Sequence, residues 1–204
     1  IEEKVAELTA VNELIQALSF TTNLQEALDL VTYTMTERFA AFQSAIALVN
    51  EGRTGVIVAA QYTTNPDHPD PIGVFFPFQG NTYTKRVFDT AKPVYMPHAQ
   101  TSSDVEPFTR QVMREQGVGS ALLLPLLAHG EVIGSIGIDS ELPDRAFSDE
   151  EIRLAETIAA QIANAIANAR LLTEQQKAQK EAEEANKAKA ALKPSYPAVW
   201  IYSE

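Results

Sequence analysis

The chain has 204 residues, of which 45% are hydrophobic, and a formal net charge of −11. That length and composition allow one core of ordinary domain size, and the acidic balance argues against nonspecific binding to nucleic acid or to an anionic membrane. The absence of cysteine excludes disulfides, thiol catalysis, thiolate metal sites and thioether attachment of a chromophore.

No run of 18 apolar residues occurs, so no membrane-spanning helix is expected, and no signal peptide is visible. A cytoplasmic setting is the expectation. The start at Ile1 is consistent with a piece cut from a longer protein.

Residues 1–19 read as an amphipathic helix. Ile1, Val5, Leu8, Val11, Ile15 and Leu18 follow heptad-like steps of three and four. The stripe fits a surface helix packed on its own domain and, equally, a helix paired with a partner subunit. Thr22-Asn23-Leu24-Gln25 fits a capping box and starts a second helix. Its apolar face is Leu24, Leu28, Val31, Met35 and Phe39, and it stops between Arg38 and Ala41.

The period then changes from helix to strand. Ser44–Val49 and Val56–Tyr62 flank the turn residues Asn50–Gly55, which predicts a hairpin. Three prolines in Thr63–Pro71 indicate a loop. Ile72–Phe78 reads as a third strand, with Pro77 placing its end at an edge or bulge. Asn81 or Thr82 caps a short helix ending near Ala91, and Lys92–Pro97 gives at most a very short strand. Ser102 or Ser103 precedes a helix over Val105–Gln116 that stops at Gly117. Ser120–Ala128 and Glu131–Asp139 form a second hairpin around His129-Gly130. Gly134 and Gly137 mark a strand bend, or a close approach of backbone or ligand.

At Phe147-Ser148-Asp149-Glu150-Glu151 a second capping box opens a long helix, with Phe147 and Ile152 placed as a hydrophobic staple. No Gly or Pro occurs from Ser148 to Leu192, so the helix can reach roughly 65 Å. Leu154, Ile158, Ile162 and Ile166 recur every fourth residue beside Ala155, Ala159, Ala163 and Ala167, a pattern for close packing. Beyond Leu172 the apolar residues shrink to alanines, and Glu183 with Lys187 is spaced for an i,i+4 pair. This stretch is a solvated tail when alone and a weak coiled coil when paired in a dimer. Residues 193–204 read as a separate tail, with a cloning-derived extension as one reading. The element order predicts an α+β fold: one mostly antiparallel sheet, flanking helices on one face and residues 63–116 on the other.

Three segments carry a family resemblance. They are Gly119–Leu126, Gly130–Gly137, and Phe147–Glu151 leading into Ala160–Ile166. Over residues 10–170 the chain resembles the GAF domain family, a small-molecule sensing module. The resemblance implies a GAF-like sensor domain over 20–170, a helical coiled-coil linker over 171–192, and homodimerisation through helices 1–19 and 148–192. Glu181–Lys189 also resembles the linker before a histidine-kinase dimerisation helix. The implied whole is therefore the sensor part of a bacterial two-component histidine kinase. No His-Glu catalytic motif or nucleotide-binding glycine box follows in this sequence. Cyclic-nucleotide-binding relatives carry Asn-Lys where Asp139-Ser140 stands here. Phe147, Asp149 and Glu150 resemble the residues that follow that pair, but the cap and staple already explain them.

In the family the ligand lies between the sheet and the middle segment. The resemblance therefore directs attention to Phe78, Tyr83, Phe88, Tyr95, His98 and Phe108 as pocket candidates, although aromatics in such a segment more often fill the core. His98 is the histidine placed to bind haem or a ligand; His68 and His129 lie in a loop and a turn. No two histidines have metal-ligand spacing. Arg86 and Arg110 are spaced to meet an anionic ligand or solvent.

The expected function is a non-catalytic sensory module that relays a small-molecule or upstream-domain signal to a downstream effector. A dimerising spacer that binds nothing, and a sensor holding haem or a noncovalent chromophore, are the alternatives. The missing cysteine removes covalent bilin attachment and the thiol chemistry of the free methionine sulfoxide reductases of this fold. An enzyme has little support, because no nucleophile elbow or phosphate loop occurs.

Overall fold

A computed structural model describes residues 24–191. The helix expected over 1–19, Thr22 and Asn23 of the first capping box, and the tail 193–204 lie outside that range. Helix α1 spans Leu24–Arg38. Its predicted apolar face is the buried one, with Leu28, Val31, Met35 and the following Phe39 in the core. Strands β1 (Gln43–Val49) and β2 (Gly55–Thr63) form the expected hairpin. Asn50 closes its turn, its Oδ1 accepting from the N–H groups of Thr54 and Gly55.

Strand β3 covers only Phe75–Pro77, shorter than the expected Ile72–Phe78. The first half of that segment is a turn: Asp70 Oδ1 accepts from Ile72 N–H, and Gly73 adopts φ +85°. Helix α2 (Thr82–Thr90) is capped by Asn81, whose Oδ1 accepts from Thr84 N–H at 3.3 Å. Strand β4 is Val94–Met96. Helix α3 (Pro107–Glu115) starts later than the serines predicted, because Pro107 supplies the first helical position and Glu106 precedes it. Ser102 is spent on a local turn instead, accepting from the N–H groups of Asp104 and Val105.

Strands β5 (Ser120–Ala128) and β6 (Glu131–Ser140) lead into helix α4, Asp149–Ala191, which runs for 43 residues. The second capping box forms reciprocally. Glu151 N–H donates to Ser148 Oγ at 3.1 Å, and Ser148 N–H donates to Glu151 Oε2 at 2.8 Å. Phe147 and Ile152 both pack against the core. Arg145 joins this start to the end of α1: its guanidinium donates to the carbonyls of Phe39 and Ala40 and to Glu151 Oε1. A cation at a helix C-terminus is favourable because the last carbonyls carry partial negative charge.

The fold is α+β, with one six-stranded sheet in the order β3-β2-β1-β6-β5-β4. Every neighbouring pair is antiparallel. Pro77 lies on the edge strand β3. Pro125 lies past the β4 pairing, which ends at Leu123, so that flank of β5 is open where an N–H is missing.

Strand alternation then separates two faces. Ile46, Leu122, Leu124, Leu126, Ile136 and Ile138 point to the side covered by α1 and α4. There they meet Ile158, Ile162 and Ile166 together with Ala155, Ala159 and Ala163, all buried. Burying each such isoleucine contributes roughly 1.5–3 kcal/mol. Helices α2 and α3 lie over the opposite face.

The chain divides into two units, Ile1–Ala167 and Asn168–Glu204. In the second, Leu171 and Leu172 are exposed. Glu183 accepts from Gln179 Nε2 at 3.1 Å; the expected pair with Lys187 does not form among the described residues.

Gly134 answers a packing demand. A Cβ there would lie 2.5 Å from the Ala47 carbonyl oxygen on β1, whereas one at Gly52 would meet nothing closer than 3.7 Å. Gly134→Ala therefore destabilises by about 1–3 kcal/mol, and Gly52→Ala changes stability by under about 0.5 kcal/mol. Urea unfolding of both variants checks this, and equal midpoints would contradict it.

Candidate functional site

The sheet face turned toward α2 and α3 carries little volume. Ala45 and Ala47 on β1, Ala121 on β5, and Ser135 and Gly137 on β6 line a cavity of about 100 Å³ there. Its cover comes from α2 and α3. Thr109, Val112, Met113 and Gln116 line it from α3 and the residue after it, at the i, i+3, i+4, i+7 spacing of one helix face. Tyr83 and Thr84 line it from α2, with Asn81 just before. Phe76 and Met96 add apolar wall.

A polar chain crosses the floor. Gln43 Nε2 donates to Asp139 Oδ2 at 2.9 Å. Gln61 Nε2 donates to Gln43 Oε1 at 2.7 Å and to Gln116 Oε1 at 3.3 Å. Gln116 Nε2 donates to the Pro69 carbonyl at 3.3 Å, and His68 Nε2 lies 2.6 Å from the Gln116 carbonyl. Two buried polar atoms on the cavity wall, Asn81 Nδ2 and Thr109 Oγ1, have no hydrogen-bond partner among the described residues.

Burial pushes the Asp139 carboxyl up to about 6, while the Gln43 hydrogen bond and the charge of His68 pull it down. Desolvation wins because one neutral amide cannot replace the water that a carboxylate loses.

The six candidate residues are placed differently. Tyr83 lines the cavity, with the Arg86 guanidinium 5.9 Å from its ring centre. Phe78 and Phe88 pack on each other at 4.6 Å between centroids. Tyr95 meets Phe147 at 6.2 Å, and the exposed Phe108 meets Phe76 at 5.8 Å. His98 is exposed, with φ +49°, and its N–H donates to the Pro143 carbonyl. Of the two arginines, Arg110 donates to the Ser102 carbonyl, and neither it nor Arg86 is among the residues lining the cavity.

The residues that sequence reasoning missed are the small ones and the buried amides. Ala45-Ile46-Ala47 and Ser135-Ile136-Gly137-Ile138-Asp139 alternate small or polar with large side chains, and that alternation was the available signal. No cluster of three or more His, Asp or Glu able to hold a metal occurs among the described residues. No described helix is long and apolar enough to cross a membrane.

Folding raises the Asp139 pKa from its ordinary 3.8 to about 6. The folded protein therefore keeps a proton that the unfolded chain releases between those values. The resulting penalty is absent at low pH, grows as pH rises through that window, and is constant above it. Asp139→Asn removes the charge and keeps an oxygen for Gln43. Its stability relative to wild type therefore rises by roughly 2.5 kcal/mol between about pH 4 and pH 8. Urea titrations across that range check this; a difference that does not change with pH would contradict it.

Solved structures superpose on this architecture. The GAF domain from a phosphoenolpyruvate-protein phosphotransferase of Coxiella burnetii does so with a TM-score of 0.69 and 21% identity, over 82% of this chain and 96% of that one. The phycocyanobilin-bound GAF domain from a cyanobacterial phytochrome gives 0.67 at 16% identity, over 81% and 96%. The free methionine-R-sulfoxide reductase from Neisseria meningitidis, in complex with its substrate, gives 0.65 at 15%, over 81% and 91%. No curated protein sequence matches significantly. At these identities the likenesses establish the fold. Residues 21–167 also match the GAF domain family itself, a family whose members are typically small-molecule-binding regulatory modules. With the antiparallel sheet, its helical cover and that match across most of its length, the chain belongs to the GAF domain family.

Proposed function

We propose that this GAF domain is a non-catalytic sensor that binds a small molecule between its sheet and α2–α3. The carrying observation is a cavity with apolar walls that also presents buried, unpartnered Asn81 Nδ2 and Thr109 Oγ1. A buried polar atom without a partner costs about 1–3 kcal/mol, and a ligand that supplies the partner recovers it. Pockets of this make-up, apolar with a few converging polar groups, are those that recognise small molecules.

The proposed output path is α4. The same helix that packs on the sheet through Ile158, Ile162 and Ile166 runs on to Ala191. Ligand binding biases the packing of the domain, and a helical homodimer carries that bias to an effector, with a histidine kinase in a cytoplasmic two-component system as the proposed recipient.

An interior filled by Tyr83, Phe88 and Phe108 would favour the spacer reading. Phe88 instead packs on Phe78, and Phe108 is exposed. The chromophore reading has less support. A cavity of about 100 Å³ is smaller than the roughly 150 Å³ cavity that holds benzene, so it matches a ligand no larger than one aromatic ring and not a haem or a bilin. His98, the candidate haem ligand, is exposed.

Ala47→Leu fills the cavity from the sheet side. A thermal-shift screen of metabolites against the purified protein is expected to yield a ligand that raises Tm. Ala47→Leu is expected to weaken that ligand at least ten-fold while the variant unfolds at or above the wild-type temperature. A ligand whose affinity is unchanged by Ala47→Leu, or a screen in which nothing binds, counts against the reading.

A further inference from the structure

We propose that the cavity takes a small cationic amine with an apolar body and a neutral hydrogen-bond acceptor, the amine held by Asp139 on the sheet and the acceptor by Asn81 and Thr109 on the cover. The inference rests on the cavity being a ligand site and names the chemistry of its occupant.

The amine follows from the state of Asp139. It is the one carboxylate among the residues lining the cavity, and no Lys, Arg or His lines it. Its Oδ2 accepts from Gln43, and its Oδ1 accepts from no side chain or backbone group among the described residues. Gly137 keeps that oxygen open, since a Cβ there would stand 3.3 Å from Oδ1. His68 influences the carboxylate at longer range, and its Nε2 is engaged with the Gln116 carbonyl. A buried carboxylate with one neutral partner is under-compensated. His68 acts on it through its charge but makes no hydrogen bond to it, and no Lys, Arg or His lines the cavity, so a ligand amine can complete it. An anionic ligand would instead put like charges together in a low-dielectric space.

The acceptor follows from the cover. Asn81 Oδ1 is committed to the Thr84 N–H at the start of α2, which fixes the amide so that Nδ2 is the group left unpartnered. Thr109 adds a second unpartnered donor, a hydroxyl, in the same wall. Both groups are neutral. They suit a carbonyl or amide oxygen; a carboxylate would be buried without a counter-charge. Between the two polar ends, Ala45, Ala121 and Met113 accept an apolar body.

The test uses matched probes and isothermal calorimetry at pH 7.5. Glycinamide and L-alaninamide carry amine and amide; acetamide and propanamide lack the amine; acetate and propanoate are anionic. At least one amino-amide is expected to bind ten-fold or more tightly than its amine-free counterpart. Asp139→Asn is expected to bring that ratio within three-fold, and Ala47→Leu to abolish binding of both. Amine-free or anionic probes binding as well as the amines would overturn the amine assignment while leaving the sensor reading intact, as would an amine preference that survives Asp139→Asn. The wild-type ratio alone decides the matter if Asp139→Asn folds poorly. Failure of every probe while the metabolite screen yields an uncharged ligand also overturns the amine assignment; failure of both panels overturns the sensor reading with it.

Discussion

Two-residue periodicity in β1 and β6 assigns large side chains to one side of the sheet and small ones to the other. Ile46, Leu124, Ile136 and Ile138 build a tight core under α1 and α4. Their immediate neighbours Ala45, Ala47 and Gly137 leave space under α2 and α3. A one-residue slip in register would exchange the two sides, so the ladder between β1 and β6 fixes the core and the cavity together. The glycines of β6 serve it in different ways. Gly134 lets β1 approach, and Gly137 keeps the cavity floor low.

Much of the fold was legible because its signals are local. The reciprocal Ser148–Glu151 cap, the four-residue recurrence of isoleucine and alanine in α4, and the apolar face of α1 each sit within a few turns of one helix. Boundaries failed where turn chemistry overrode pattern. Asp70 and Gly73 shortened β3, and Pro107, with its fixed φ, set the start of α3 in place of the serines. The site was less legible. A search for aromatic pocket walls found Tyr83, but a cavity is made by missing volume, and alanines in a strand draw no attention. Gln43 and Asp139 are 96 residues apart and become neighbours only because their strands pair with these two residues opposite each other. No local reading brings them together.

The cavity also shows where local rules yield to function. Burying Asp139 against one amide, and leaving Asn81 Nδ2 and Thr109 Oγ1 without partners, opposes folding. Natural cores avoid such groups, and exceptions concentrate where a protein meets something else. The opposite side of the sheet carries the compensation, with buried isoleucines and leucines from five elements and the Arg145 tie between the end of α1 and the start of α4.

The floor of the cavity has a sense of direction. Gln61 sends one hydrogen toward Gln43 and the other toward Gln116; Gln43 passes its own to Asp139, and Gln116 to the Pro69 carbonyl. Each amide's orientation therefore constrains the next. Turning Gln43 around alone would set two donors, or two oxygens, face to face. The Pro69 carbonyl at one end and the ionised Asp139 at the other can only accept, so the row has a single satisfied polarity and ties the proline-rich loop beside His68 to the floor of the cavity.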